Sequence, residues 1–215
     1  MDCKATVNIG AFSRGGQTRG DHKGRDHDLG GKENYSPCGI VDEDTAQLYV
    51  PFGSSSQTSA CIVETLAAWW QGLSAKEQGE IDRVQIKLDN GSESNGVRTQ
   101  FLHRLVQLVD TIGKPLHLLY YPPYHSKYNP VERCWGILET HWNGSILDTV
   151  DAVVQFTSSM TWCGRHPVVE LITTVYQTGV RLSKAAMDKI EAQIVRLPGL
   201  EKWSVEITPA MLRDD

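Results

Sequence analysis

The sequence predicts an α/β fold in which a mixed sheet is covered by helices. Two observations carry this reading. Short runs with alternating apolar residues come first and then give way to strand-like runs separated by stretches of helical spacing. One apolar run also ends on Asp89, followed by Asn-Gly. Hairpin strands that later alternate with helices build a sheet with both antiparallel and parallel neighbours. An acidic residue closing such a strand lies at the edge where α/β sheets bind ligands.

Taken in order, residues 5–9 put Ala5, Val7 and Ile9 on one side and read as a strand ended by Gly10. If that strand reaches Asp2, the chain opens in mid-strand. Residues 13–36 form a long polar loop with Arg14, Arg19, Lys23, Arg25 and Lys32 set among glycines. A loop of this length within a compact domain is usually functional or disordered. Its basic character makes it a candidate for contacting DNA phosphates, against the alternative of a merely solvated loop. Strands are expected at 38–41 and 46–52, joined by the acidic turn Asp42-Glu43-Asp44. Thr58 is placed to cap a helix carrying Ile62, Val63, Leu66, Trp69 and Trp70 at helical spacing. The Trp pair reads as core, because indoles bury large areas.

Residues 83–89 alternate Val84, Ile86 and Leu88 inward and form a strand ending on Asp89. A helix follows with Val97, Phe101, Leu105, Val106, Leu108 and Val109 on or near one face. Residues 115–121 are an apolar strand, and Asn129-Pro130 opens the next helix with Pro at its first position. From Asp148 the chain reads as helical (Val150, Val153, Val154, Phe156), with a further helix over about 183–195. Leu197 to Gly199 breaks that helix, and 203–207 adds a late strand. The expected organisation is a core over residues 1–147 completed by a C-terminal helical extension over 148–215.

Composition bounds the function. A chain of 215 residues, 40% hydrophobic and 22% charged, buries a real core and suits one domain with an appendage. No apolar run approaches the ~20 residues of a membrane span, and nothing near Met1 resembles a signal peptide. A cytoplasmic protein without a membrane partner is expected. The 5 cysteines are scattered, odd in number and without a C-x-x-C pair. That argues against a disulfide framework or structural zinc and for small core fillers. The net charge of −5 sits awkwardly with a DNA partner. Either the positive charge is local, or the main DNA-binding module lies outside this chain.

Three carboxylates are candidates for chemistry. Asp89 sits where a sheet edge meets a glycine that lets backbone approach a phosphate, although Asp-Asn-Gly is also a common turn. Glu132 falls at the third position of the helix opened by Asn129 and Pro130, where a capping box would also use it. The capping role leaves the preceding Pro122, Pro123, Tyr124, His125, Lys127 and Tyr128 unexplained. A rigid aromatic and cationic approach suits a nucleic-acid strand end. Asp2 reads locally as a frayed terminal carboxylate. Asp21, His22, Asp26, His27 and Asp28 have the ligand types for a transition metal, but their glycine-rich loop lacks a scaffold and a solvated or DNA-facing role is favoured. His103 and His166 read as structural.

The motifs taken together resemble those of ISAzo13-like DDE transposases. The resemblance runs from Asp2 to about Thr208. It is carried by Asp2-Cys3-Lys4, the long loop ending in His27-Asp28, the Trp69-Trp70 helix, LDNGSESNG and PPYHSKYNPVER-W. The last motif, with Ser126-Lys127, Asn129 and Glu132, is the most specific. It implies a ribonuclease H-like fold, with a mixed five-stranded sheet flanked by helices. It also implies Asp2, Asp89 and Glu132 as catalytic, metal-binding carboxylates for two Mg²⁺ or Mn²⁺ ions, Asp2 bridging them. By the same resemblance the chain cleaves and transfers strands at transposon ends, near the nucleoid, as a homo-oligomer assembled on DNA. His125 and Lys127 would orient a phosphate or strand end, and Asn90 and Asn95 would support the second carboxylate. The helix-turn-helix region of such transposases is missing upstream, so a truncated or split product is expected. Two alternatives remain: a ribonuclease H-like nuclease without strand transfer, and an inactive remnant that folds and binds DNA or a full-length transposase.

Overall fold

The computed structural model describes residues 1–15, 33–54, 57–122, 124–176 and 182–212. In chain order the elements are β1 (Asp2–Cys3), β2 (Val7–Asn8), β3 (Asn34–Val41), β4 (Leu48–Gly53), α1 (Ser59–Gly72), α2 (Ala75–Glu80), β5 (Val84–Leu88) and α3 (Thr99–Ile112). They continue with β6 (Leu116–Tyr120), α4 (Pro130–Trp142), α5 (Val150–Ser159), β7 (Val168–Ile172), α6 (Lys184–Glu191), β8 (Ile194–Arg196) and β9 (Ser204–Ile207). The fold is mixed α/β, as expected, but the strands form one five-stranded and one four-stranded sheet where a single five-stranded sheet was expected, and β5, which leads to Asp89, lies in the four-stranded one. The chain divides into two compact units that are each discontinuous in sequence, one of Met1, 57–129 and 176–215, the other of 2–56 and 130–175.

In the unit that contains Asp2, β1 and β2 both lie antiparallel on β3, β3 pairs antiparallel with β4, and β4 pairs parallel with β7. The strand expected at residues 5–9 is therefore two short pieces. The partner sums shift by one between Cys3↔Cys38 and Val7↔Tyr35, so Lys4, Ala5 and Thr6 oppose only Ser36 and Pro37. That is a β-bulge. Pro37 explains its place, since it has a carbonyl to accept from Lys4 N (2.9 Å) but no N–H to return.

The core of this unit lies between its sheet and α4 with α5. Val7, Leu48, Val50 and Phe52 meet Val131, Trp135, Leu138, Trp142 and Leu147. Full burial of each such side chain contributes about 1.5–3 kcal/mol. One contact sets how closely α4 approaches. A Cβ on Gly39 of β3 would lie 2.7 Å from the Trp135 ring and 2.8 Å from Val131 Cγ1. Only a residue without a side chain lets the helix sit there.

In the other unit, β5 and β6 are parallel, β9 is antiparallel to β6, and β8 is antiparallel to β9. Thr58 caps α1 as expected, its hydroxyl accepting from Cys61 N at 3.2 Å. Trp70 is buried, in keeping with a core role.

Several boundaries differ from the sequence reading. Ala46 has φ +57° and closes the acidic turn, so β4 starts at Leu48 rather than at 46. Val97 precedes α3 and is 69% exposed, because residues 91–98 are committed to turns. The helix expected over 183–195 ends at Glu191, and Ile194–Arg196 pairs with β9 instead. The helical extension expected over 148–215 is thus mixed: α5 and α6 alternate with β7, β8 and β9, each of which completes a sheet.

Two glycines near α4 should respond oppositely to alanine. Gly39→Ala should lower stability by about 1–3 kcal/mol through overpacking. Gly136→Ala, on the open face of α4 where a Cβ meets nothing within 4 Å, should raise it by about 0.5–1 kcal/mol. Urea unfolding of both variants measures this, and a neutral Gly39→Ala would contradict the close approach.

Candidate functional site

Asp2 is not the frayed terminal carboxylate that its position suggests. It is half-buried in β1, opposite Gly39, and its Oδ2 accepts the indole N–H of Trp135 at 2.8 Å. Glu132 lies three residues before Trp135, in the first turn of α4. Residues three apart share a helix face, so Asp2 is held against the face that also carries Glu132. The rim of this arrangement is tied by Lys4, which pairs with Glu139 one turn beyond Trp135. A carboxylate oxygen that accepts an N–H is fixed in orientation by it. Trp135 stood within the motif at residues 122–135 without an assigned role. The signal for it was the three-residue spacing from Glu132.

Asp89 belongs to the other unit and follows the last residue of β5, exposed at the strand end as expected. The turn after it is tethered at three points. Glu93 receives Arg98 on both carboxylate oxygens (2.9 and 3.1 Å) and accepts from Ser59 N and Oγ at the start of α1. Tyr120 Oη donates to Ser94 O at 2.7 Å. Arg196 donates to Gly96 O at 2.7 Å. Gly91 runs close to the Asp89 carboxylate, since a Cβ there would lie 3.4 Å from Oδ1. Asn95 bonds within its own turn, donating to Ser92 O and accepting from Val97 N. Burial raises the Tyr120 phenol well above its ordinary range, and Arg196 partly opposes this.

The approach to α4 is compact and solvent-facing. Tyr124 is 98% exposed with φ +66°, a strained conformation for a tyrosine. The rings of His125 and Tyr128 stack at 5.9 Å, and Lys127 Nζ sits 5.1 Å from the centre of the Tyr128 ring. Asn129 is buried, and its amide donates to Met1 O at 3.3 Å. Met1 in turn donates its ammonium to Lys87 O in β5 at 3.0 Å.

Of the basic residues assigned to the long loop, Arg14 is described. Its guanidinium donates to Asn8 O at 2.9 Å and covers the Trp142 ring at 5.4 Å. Burial draws its pKa below the ordinary value, against the pull of Glu139. Arg14 thus anchors the loop's start to the end of α4. Arg19, Lys23 and Arg25 lie outside the described residues, as do Asp21, His22, Asp26, His27 and Asp28. His166 bonds Met160 O through Nδ1, and burial lowers the His103 pKa; both fit structural roles. Among the described residues, no three His, Cys, Asp or Glu side chains are grouped to hold a metal ion. Among them too, no helix is long and apolar enough to cross a membrane.

A family profile described as the Rhodopirellula transposase DDE domain matches residues 1–209. The chain belongs to this transposase family. The match agrees with the ISAzo13-like resemblance and runs through Asp2, Asp89 and Glu132. No curated protein matches the chain, and no solved structure does. Membership of a DDE transposase family supports a transposase-type function, implies DNA as the partner, and brings the general use of divalent metal ions.

The Tyr120 tether has a pH signature. The phenol ionises near pH 10 in the unfolded chain and later in the folded one. The unfolded state therefore loses its proton first, and stability falls as pH rises above about 10. Tyr120→Phe should remove that part of the alkaline loss and lower stability at pH 7 by about 1–2 kcal/mol through the unpaired Ser94 carbonyl. Urea unfolding from pH 7 to 11 measures both. Parallel curves for the two proteins would contradict the assignment.

Proposed function

We propose that this chain is a transposase catalytic core of ribonuclease H-like type that cleaves DNA at transposon ends and joins the ends to target DNA. What supports the reading is a family match spanning all three carboxylates, joined to the indole N–H that orients Asp2. The element order favours it as well: antiparallel strands come first, and then strand, helix, strand and helix follow. By the family resemblance Asp2, Asp89 and Glu132 would hold the metal, which would have to draw them together, since among the described residues no three such side chains are grouped for an ion. The donor set is entirely carboxylate, the hard-oxygen chemistry that suits Mg²⁺ or Mn²⁺. Such ions, two in this proposal, activate a water or 3′-hydroxyl and stabilise the leaving oxygen when bound.

The protein's own residues prepare the rest. Trp135 keeps the Asp2 carboxylate in one orientation, as outer-shell donors do for metal ligands. The tethered turn from Gly91 to Gly96 holds the strand end that carries Asp89. Tyr124, His125 and Tyr128 offer aromatic faces to unpaired bases, and Lys127 offers charge to a phosphate. His125 and Lys127 are the proposed contacts for the strand end. Arg19, Lys23 and Arg25, with Arg14 at its anchored start, are proposed to make the basic loop a DNA contact. Assembly on paired transposon ends would bring copies of the chain together.

Supercoiled-plasmid nicking in Mg²⁺ and in Mn²⁺, followed by strand transfer from a pre-cut end, tests the proposal. Wild type should show both reactions, and Asp89→Ala and Glu132→Gln should each lose about 100-fold or more. Equal activity in wild type and variants would remove these residues from the site. Nicking without transfer would favour a nuclease. Inactivity of a folded wild type that still binds DNA would favour the remnant.

A further inference from the structure

The cysteines read as scattered core fillers, yet two of them meet. Cys3 of β1 and Cys38 of β3 are direct cross-strand partners, and their sulfurs lie 2.6 Å apart. The register explains the approach. Lys4 N donates to Pro37 O, so that neighbouring pair is hydrogen-bonded. Pairs alternate along an antiparallel ladder, which leaves Cys3 and Cys38 at the non-hydrogen-bonded position. There Cα atoms stand about 4.5 Å apart, with side chains at their closest, inside the span of about 4.4–6.8 Å that a disulfide bridges. Cys38 is 2% exposed and Cys3 is half-buried, so Cys3 is the one a small oxidant reaches. Cys61 and Cys134 are buried on helices, and Cys163 is exposed.

We propose that Cys3 and Cys38 form an oxidation site that a peroxide converts to a cross-strand disulfide. The Cys3 sulfur attacks the peroxide O–O bond, giving a sulfenic acid and releasing water. The Cys38 sulfur then attacks the sulfenic sulfur. An S–S bond forms, the S–O bond breaks, and the hydroxyl leaves with the Cys38 proton as a second water. Two thiols and one hydrogen peroxide thus become one disulfide and two waters. The link closes residues 3–38 into a loop containing the bulge and the basic segment, and it pins the two-residue strand that carries Asp2. The step does not depend on the transposase reading.

The test uses the full chain, reduced, freed of reductant, treated with stoichiometric hydrogen peroxide and then alkylated. Expected are a mass lower by two hydrogens, a Cys3–Cys38 linked peptide after digestion, and a Tm higher by about 5–10 °C that dithiothreitol reverses. Cys3→Ser and Cys38→Ser should each abolish the link and the shift, while Cys163→Ser should keep both. Oxidation of Cys3 to sulfinic acid without a link would overturn the proposal. So would a disulfide confined to Cys163 between two chains, or a link unaffected by Cys38→Ser.

Discussion

The contact of Trp135 with Asp2, made over a glycine, organises the unit that contains both residues. Gly39 supplies the absence of a side chain that lets α4 rest directly on β3. With the helix at that height, the indole ring covers β3 and its N–H reaches the carboxylate on the neighbouring strand. The same seating buries Val131, Leu138 and Trp142 against the sheet and turns Glu132 to the side where Asp2 is held. A larger residue at 39 would lift the helix and so disturb core and carboxylate together.

The second constraint is how the chain after Asp89 is held. A strand end followed by glycine is ordinarily loose, but here the Ser59 hydroxyl, the Tyr120 phenol and the Arg196 guanidinium each donate to one backbone carbonyl of the turn. The anchors come from α1, β6 and β8, elements far apart in sequence. Both candidate carboxylate environments are built alike: a short acidic motif is local, and the groups that hold it arrive from elsewhere in the chain.

That distinction explains what was legible in the sequence. The Thr58 cap, the strand ending before Asp89, and the helix opening at Pro130 rest on local chemistry and were readable. The strand at 168–172 was not, because VVELI shows no clear alternation and its parallel partner lies more than a hundred residues earlier. Ile194–Arg196 looked like the tail of a helix, since its pairing with β9 needs a return of the chain that spacing does not reveal. The break between β1 and β2 follows from Pro37, which sits on the opposite strand. Trp135 was visible as a motif residue, but its hydrogen bond depends on Gly39, and the meeting of Cys3 with Cys38 depends on register. The candidate carboxylates came from resemblance; their supports came from packing.

The most direct measurement of the central contact is a double-mutant cycle of Asp2→Ala and Trp135→Phe, read by urea unfolding. A hydrogen bond from the indole to an ionised carboxylate should appear as a coupling of about 1–3 kcal/mol. Effects that simply add, within about 0.5 kcal/mol, would show that Trp135 does not hold Asp2.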